Sequence, residues 1–86
     1  SQASTYHQLG RVAEELREYE QARLHYQTAL DIKIEYGDRY SQASTYAQLG
    51  LLAEALENLP EAQANLLQAL QIFAEFNDDY MTGRVI

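Results

Sequence analysis

The chain has 86 residues, and its 13 acids against 6 bases leave a net charge of −7. That balance argues against a nucleic-acid surface, because phosphate affinity rests on Lys and Arg. With no cysteine there is no disulfide framework and no Cys-based zinc site, and no apolar run approaches the roughly 18 residues a membrane span needs.

Residues 1–10 read SQASTYHQLG and residues 41–50 read SQASTYAQLG, a period of 40 that gives 19 identities between 1–40 and 41–80. Repeats of this length mark stacked units that cannot bury their own faces alone. In each unit the spacing predicts two helices. The first runs from about Gln2 to Arg17, with apolar positions Tyr6, Leu9, Val12, Ala13 and Leu16 on one stripe. The second runs from about Glu20 to Tyr36, with Ala22, Tyr26, Ala29, Leu30 and Ile32. The copies run from about Arg39 to Glu57 (Tyr46, Leu49, Leu52, Ala53, Leu56) and from Pro60 to Phe76 (Ala62, Leu66, Ala69, Leu70, Ile72). No stretch alternates with period two, so strands are not expected.

Punctuation agrees with this division. Pro60 suits a first helical turn, and Gly37 and Asn77 occupy equivalent positions where a left-handed residue ends a helix. Asp38 and Asp78 follow as N-caps for the next helix. The short links imply antiparallel neighbours. Gly10 and Gly50 recur at one phase inside the first helices, where glycine costs about 1 kcal/mol relative to Ala. The physical reading is close approach of the second helix. Residues 81–86 read as the start of a truncated third unit; because the chain stops inside an expected helix the natural protein is expected to continue, and the absence of Met at position 1 reads as an excerpt or a processed product. Phe73, Phe76, Tyr80, Val85 and Ile86 are expected to expose apolar surface at that end, so that the fragment self-associates through its repeat ends.

Tyr6, Leu9, Gly10, Ala22, Tyr26 and Ala29, repeated as Tyr46, Leu49, Gly50, Ala62, Leu66 and Ala69, resemble the tetratricopeptide repeat in a variant lengthened to 40 residues. The resemblance covers residues 1–80. It implies an all-α, right-handed solenoid of antiparallel helix pairs and a non-catalytic, cytoplasmic scaffold that binds a protein or peptide. It implies that Ser4, His7, Gln8, Arg11, Glu14 and Glu15 of the first unit, Ser44, Gln48, Leu51 and Glu54 of the second, and Arg84 beyond them line the concave face. The alternative is a structural or self-association module, or a regulatory sensor segment of a larger signalling protein. Relatives with the longer unit often place an Asn after Leu-Gly to grip peptide backbones. Arg11 and Leu51 stand there instead.

Enzymatic signatures are missing. His7 and His25 are the two histidines and sit on different helices, without the spacing of a metal site, so no metal and no cofactor is expected. The serines fall in the copied segment, and the glycines are isolated, which leaves no phosphate loop. Paired acids such as Glu14 with Glu15 read as helix-surface charge. His25 is expected on an exposed flank. No nucleic acid and no membrane is expected as a partner.

Overall fold

The computed structural model describes the backbone of residues 2–85 and the side chains of residues 2–76. Four α-helices follow one another: α1 (Gln2–Glu15), α2 (Tyr19–Glu35), α3 (Arg39–Ala55) and α4 (Leu59–Val85). Each packs on its neighbours in sequence, giving two stacked helix pairs, an all-α repeat architecture.

The three turns close in the same way. The N–H of Glu18 donates to the Ala13 carbonyl at 2.8 Å and that of Arg17 to Glu14 at 3.0 Å; Asp38 and Gly37 repeat this on Lys33 and Ile34, and Asn58 and Glu57 on Ala53 and Glu54. This is the bond pair of a Schellman motif, which needs one left-handed residue. Gly37 supplies it at φ 69° without a Cβ, but Arg17 (φ 63°) and Glu57 (φ 62°) hold the same conformation at a cost of roughly 1–2 kcal/mol each. Turn geometry therefore recurs at twice the frequency of the sequence repeat. Helix starts are less uniform. Asp38 accepts from the N–H of Ser41 at 3.3 Å and Asn58 from that of Glu61 at 3.4 Å, whereas Glu18 makes no side-chain cap.

The helix end expected at Asn77 is not there. The backbone of α4 continues through Asn77 and Asp78 to Val85, across the residues expected to open a third unit. Asn tolerates the left-handed region but also sits in a helix at a somewhat smaller cost than glycine, so it marks an end less firmly than Gly37. The side chains of Tyr80, Arg84, Val85 and Ile86 lie outside the described residues.

The core forms where the two units meet. Ala13, Ala22, Tyr26, Leu30, Leu49 and Leu52 make one buried cluster, flanked by Tyr19 and Tyr46. Close approach at both glycines is direct. A Cβ on Gly10 would lie 2.8 Å from the Tyr26 ring, and one on Gly50 would lie 2.6 Å from Cγ of Leu66. Ala22, Ala29, Ala62 and Ala69 are buried along the same crossings.

Equivalent stripe residues differ sharply in burial. Leu49 is 2% exposed but Leu9 43%; Leu52 is 1% exposed but Val12 52%; Leu30 is 4% exposed but Leu70 63%. Leu9, Val12, Leu16 and Leu70 are thus corrected from core to surface. The inner member of each pair is covered by the adjacent unit, and the outer member has no such neighbour among the described residues. The apolar surface at the α4 end differs from expectation in part. Phe73 and Phe76 pack edge-on against Tyr40, with ring centroids 6.1 and 4.9 Å apart; Phe73 is half-buried, whereas Phe76 stays exposed as expected, and Leu59, Leu67 and Leu70 add to the exposure.

Two measurements check this packing. Gly10→Ala should destabilise by about 1 kcal/mol or more, since overpacking against the buried Tyr26 ring outweighs the helix-propensity gain; urea denaturation reads it. Leu30→Ala should cost roughly 2–4 kcal/mol and Leu70→Ala less than about 0.5 kcal/mol, although both occupy one repeat position.

Candidate functional site

The first helices of the two units, α1 and α3, flank a groove. One hollow of about 550 Å³ is lined by His7, Arg11, Glu14, Glu15 and Tyr19 on one side and by Gln48, Leu51, Leu52 and Ala55 on the other. A second, of about 310 Å³, shares His7 and Arg11 and adds Ala3, Ser4, Gln8, Lys33, Asp38, Ser41 and Ser44. Helical spacing explains the sharing. Ser4, His7, Arg11 and Glu14 step by three or four and so project from one face of α1.

The groove floor is the outer edge of the core. The Tyr26 ring, fully buried, sends its hydroxyl to donate to Glu14 Oε1 at 2.9 Å. Burial, with the Glu14 acceptor adding to it, pushes the Tyr26 phenol well above its ordinary range. His7 meets the same ring edge-on, with centroids 5.1 Å apart. Its Nδ1 is buried without a hydrogen-bond partner among the described residues. Burial first, then the charges of Lys33 and Arg11, lower its pKa.

Lys33 is a groove cation that the first-helix pattern does not mark. It belongs to α2, yet its Nζ donates to Thr45 Oγ1 at 2.7 Å and to the Ser41 carbonyl at 3.2 Å, reaching across the joint into α3. Burial lowers its pKa, opposed by Asp38. The signal was present: Lys33 is the only lysine in the chain and stands where the second unit has Phe73. A cation that replaces an aromatic at a repeat position must find polar partners, and the buried Thr45 is one.

Nine of the expected groove residues (Ser4, His7, Gln8, Arg11, Glu14, Glu15, Ser44, Gln48, Leu51) line the two hollows. Glu54 does not. It borders a separate hollow with Leu59, Ala62, Gln63, Leu66, Leu67 and Leu70 at the open end of the stack. That correction has a simple cause, because Glu54 repeats Glu14 and faces the place where another first helix would lie. Arg84 lies outside the described side chains. Tyr19, Lys33, Asp38 and Ser41 are additions. His25 is half-buried rather than fully exposed: it stacks on Tyr6 with centroids 6.3 Å apart and lines the open hollow at the α1 end. The groove carries both signs of charge, hydroxyl and amide groups, and the exposed Leu51, a mixture that can pair with a polypeptide's backbone, side chains and apolar anchors. Among the described residues no helix is long and apolar enough to cross a membrane.

A pH prediction follows from His7. Its folded pKa lies below the ordinary 6.5, so its neutral form is favoured in the fold. That contribution is complete above the ordinary value and is lost as pH falls through it toward the lowered one. Stability should therefore decline between about pH 7 and pH 5, and His7→Gln should flatten that slope. Glu61 and Glu75, held low by Arg23 and Arg39, add their losses as pH falls through the ordinary carboxylate value toward their lowered ones.

A family model described as "Tetratricopeptide repeat" matches residues 1–75. No curated protein and no solved structure gives a significant match. The family match spans both helix pairs, including the glycine crossings and the turn between the units. The chain belongs to the tetratricopeptide repeat family.

Proposed function

We propose that the groove between α1 and α3 binds a protein or peptide partner, and that the chain works as a non-catalytic scaffold in the cytoplasm. Repeats of this family generally mediate contacts between proteins and are typically non-catalytic. The observation that carries the reading is the pair of connected hollows that share His7 and Arg11 and expose Arg11, Glu15, Gln8, Ser44 and Leu51 on one surface. The two units, 1–40 and 41–80, contribute one wall each. Glu54 would serve the same surface only where a further first helix stands beside it.

The residues favour a partner with both charge signs. Arg11 and Lys33 offer donors, and Glu14, Glu15 and Asp38 offer acceptors. The acidic balance of 13 acids to 6 bases supports a polypeptide over a nucleic acid.

A random peptide library panned against the chain, followed by affinity measurement of the selected peptides, tests this. The doubly substituted Arg11→Glu, Leu51→Glu chain should lose at least about tenfold in affinity, as removing a contact worth 1.4 kcal/mol would. Leu70→Glu, at the far end of the stack, should leave the affinity unchanged. Peptides that bind the groove variant as well as the parent would refute the assignment.

A further inference from the structure

We infer that the two ends of the helix stack bind each other, so that a second copy of this chain docks head to tail and continues the stack. The joint already present inside the chain is the template for this contact. There, α2 of the first unit presents Tyr26 and Leu30 to Leu49 and Leu52 of α3, and all four are buried. The α4 end presents Leu66 and Leu70 at the positions of Tyr26 and Leu30. The α1 end presents Leu9 and Val12 at the positions of Leu49 and Leu52, with Leu16 beyond them. Each end is half of an interface whose other half the chain also carries. Both halves are open: a hollow of about 410 Å³ holds Leu9, Val12, Leu16 and Gln21, and one of about 350 Å³ holds Leu59, Leu66, Leu70 and Gln63.

Polar groups obey the same register. Across the inner joint Arg23 makes a two-pronged ion pair with Glu61, at 3.0 and 3.1 Å. Forty residues on, Arg23 becomes Gln63; forty residues back, Glu61 becomes Gln21. The joint between copies therefore faces one glutamine with another, two neutral side chains that donate and accept in either order. Glu14 and Leu51, which share a hollow inside the chain, become Glu54 and the next copy's Arg11, an opposite-charge pair. No like charges meet at these positions.

The contact is heterologous, and nothing in its register closes a ring, so assembly is open-ended. The inner joint is also helped by covalent linkage, which supplies a high effective concentration that separate copies lack. Assembly should thus appear only as concentration rises toward about the millimolar effective concentration of a short linker.

Sedimentation equilibrium of the 86-residue chain tests this. The weight-average mass should climb from 9.8 kDa with concentration and pass the dimer without a plateau. Val12→Glu and Leu70→Glu should each stay monomeric alone. Mixed in equal amounts they should form a dimer and nothing larger, because each retains the end that the other has lost. Both positions are exposed, so both variants should fold, which circular dichroism checks. Restoring the ion pair with Gln21→Glu and Gln63→Arg together should lower the concentration for assembly by about two- to fivefold, the yield of an exposed ion pair. A monomer at all concentrations, a plateau at the dimer for the parent chain, or no dimer in the mixture would overturn the inference.

Discussion

The ring of Tyr26 seated on Gly10 is the contact on which the rest of the molecule depends. It brings α2 against α1 at a distance that no side chain on Gly10 would permit. It fills the centre of the cluster that joins the first unit to the second. It also reaches the surface, since its hydroxyl holds Glu14 and its edge meets His7. Core and groove are therefore one packing problem. An interior as dense as an organic crystal transmits small displacements rather than absorbing them, so the floor of the groove is only as well defined as this crossing. The second unit solves the same crossing with Gly50 and Leu66. Leu66 has no hydroxyl to offer Glu54, and Glu54 faces the open end.

Repetition explains both the strength and the incompleteness of the fold. A helix pair has two faces to cover and can cover one by itself. Between the units the covering is mutual, and leucines that are exposed at the ends become buried there. The ion pair of Arg23 with Glu61 lies at the edge of this joint, with the Arg23 side chain 40% exposed, and pairs in that setting contribute about 0–1 kcal/mol. The apolar joint therefore carries most of the coupling, and the charges set its register.

Much of this was legible in the residues alone. The duplicated SQASTY segment and the paired glycines mark the unit, the helices and their crossings, because periodic burial leaves a periodic trace. Of the features that were not legible, three show the physical reasons best. The stripe predicts that Leu9 and Leu49 are alike, but burial depends on whether a neighbour is present, and periodicity within a helix does not report that. The turns at Arg17 and Glu57 adopt a left-handed conformation that their residue types do not announce; the bonds of Glu18 and Asn58 to the preceding helix compensate the strain. Lys33 escaped notice as a groove residue because it belongs to a second helix, and only its hydrogen bond to Thr45 across the joint brings it to the surface lined by first helices. Most of the groove follows from helical phase on α1 and α3. Its cationic floor follows from packing between units.

The most direct test of this account is a nuclear Overhauser measurement on the labelled chain. Strong cross-peaks should link the Gly10 Hα protons to the Tyr26 ring, and the same ring should show contacts to the His7 ring and to the Leu49 and Leu52 methyl groups. A Tyr26 ring with no contact to Gly10, or with contacts to Gly10 but none to α3, would contradict the claim that one side chain fixes the helix crossing, the joint between units and the floor of the groove together.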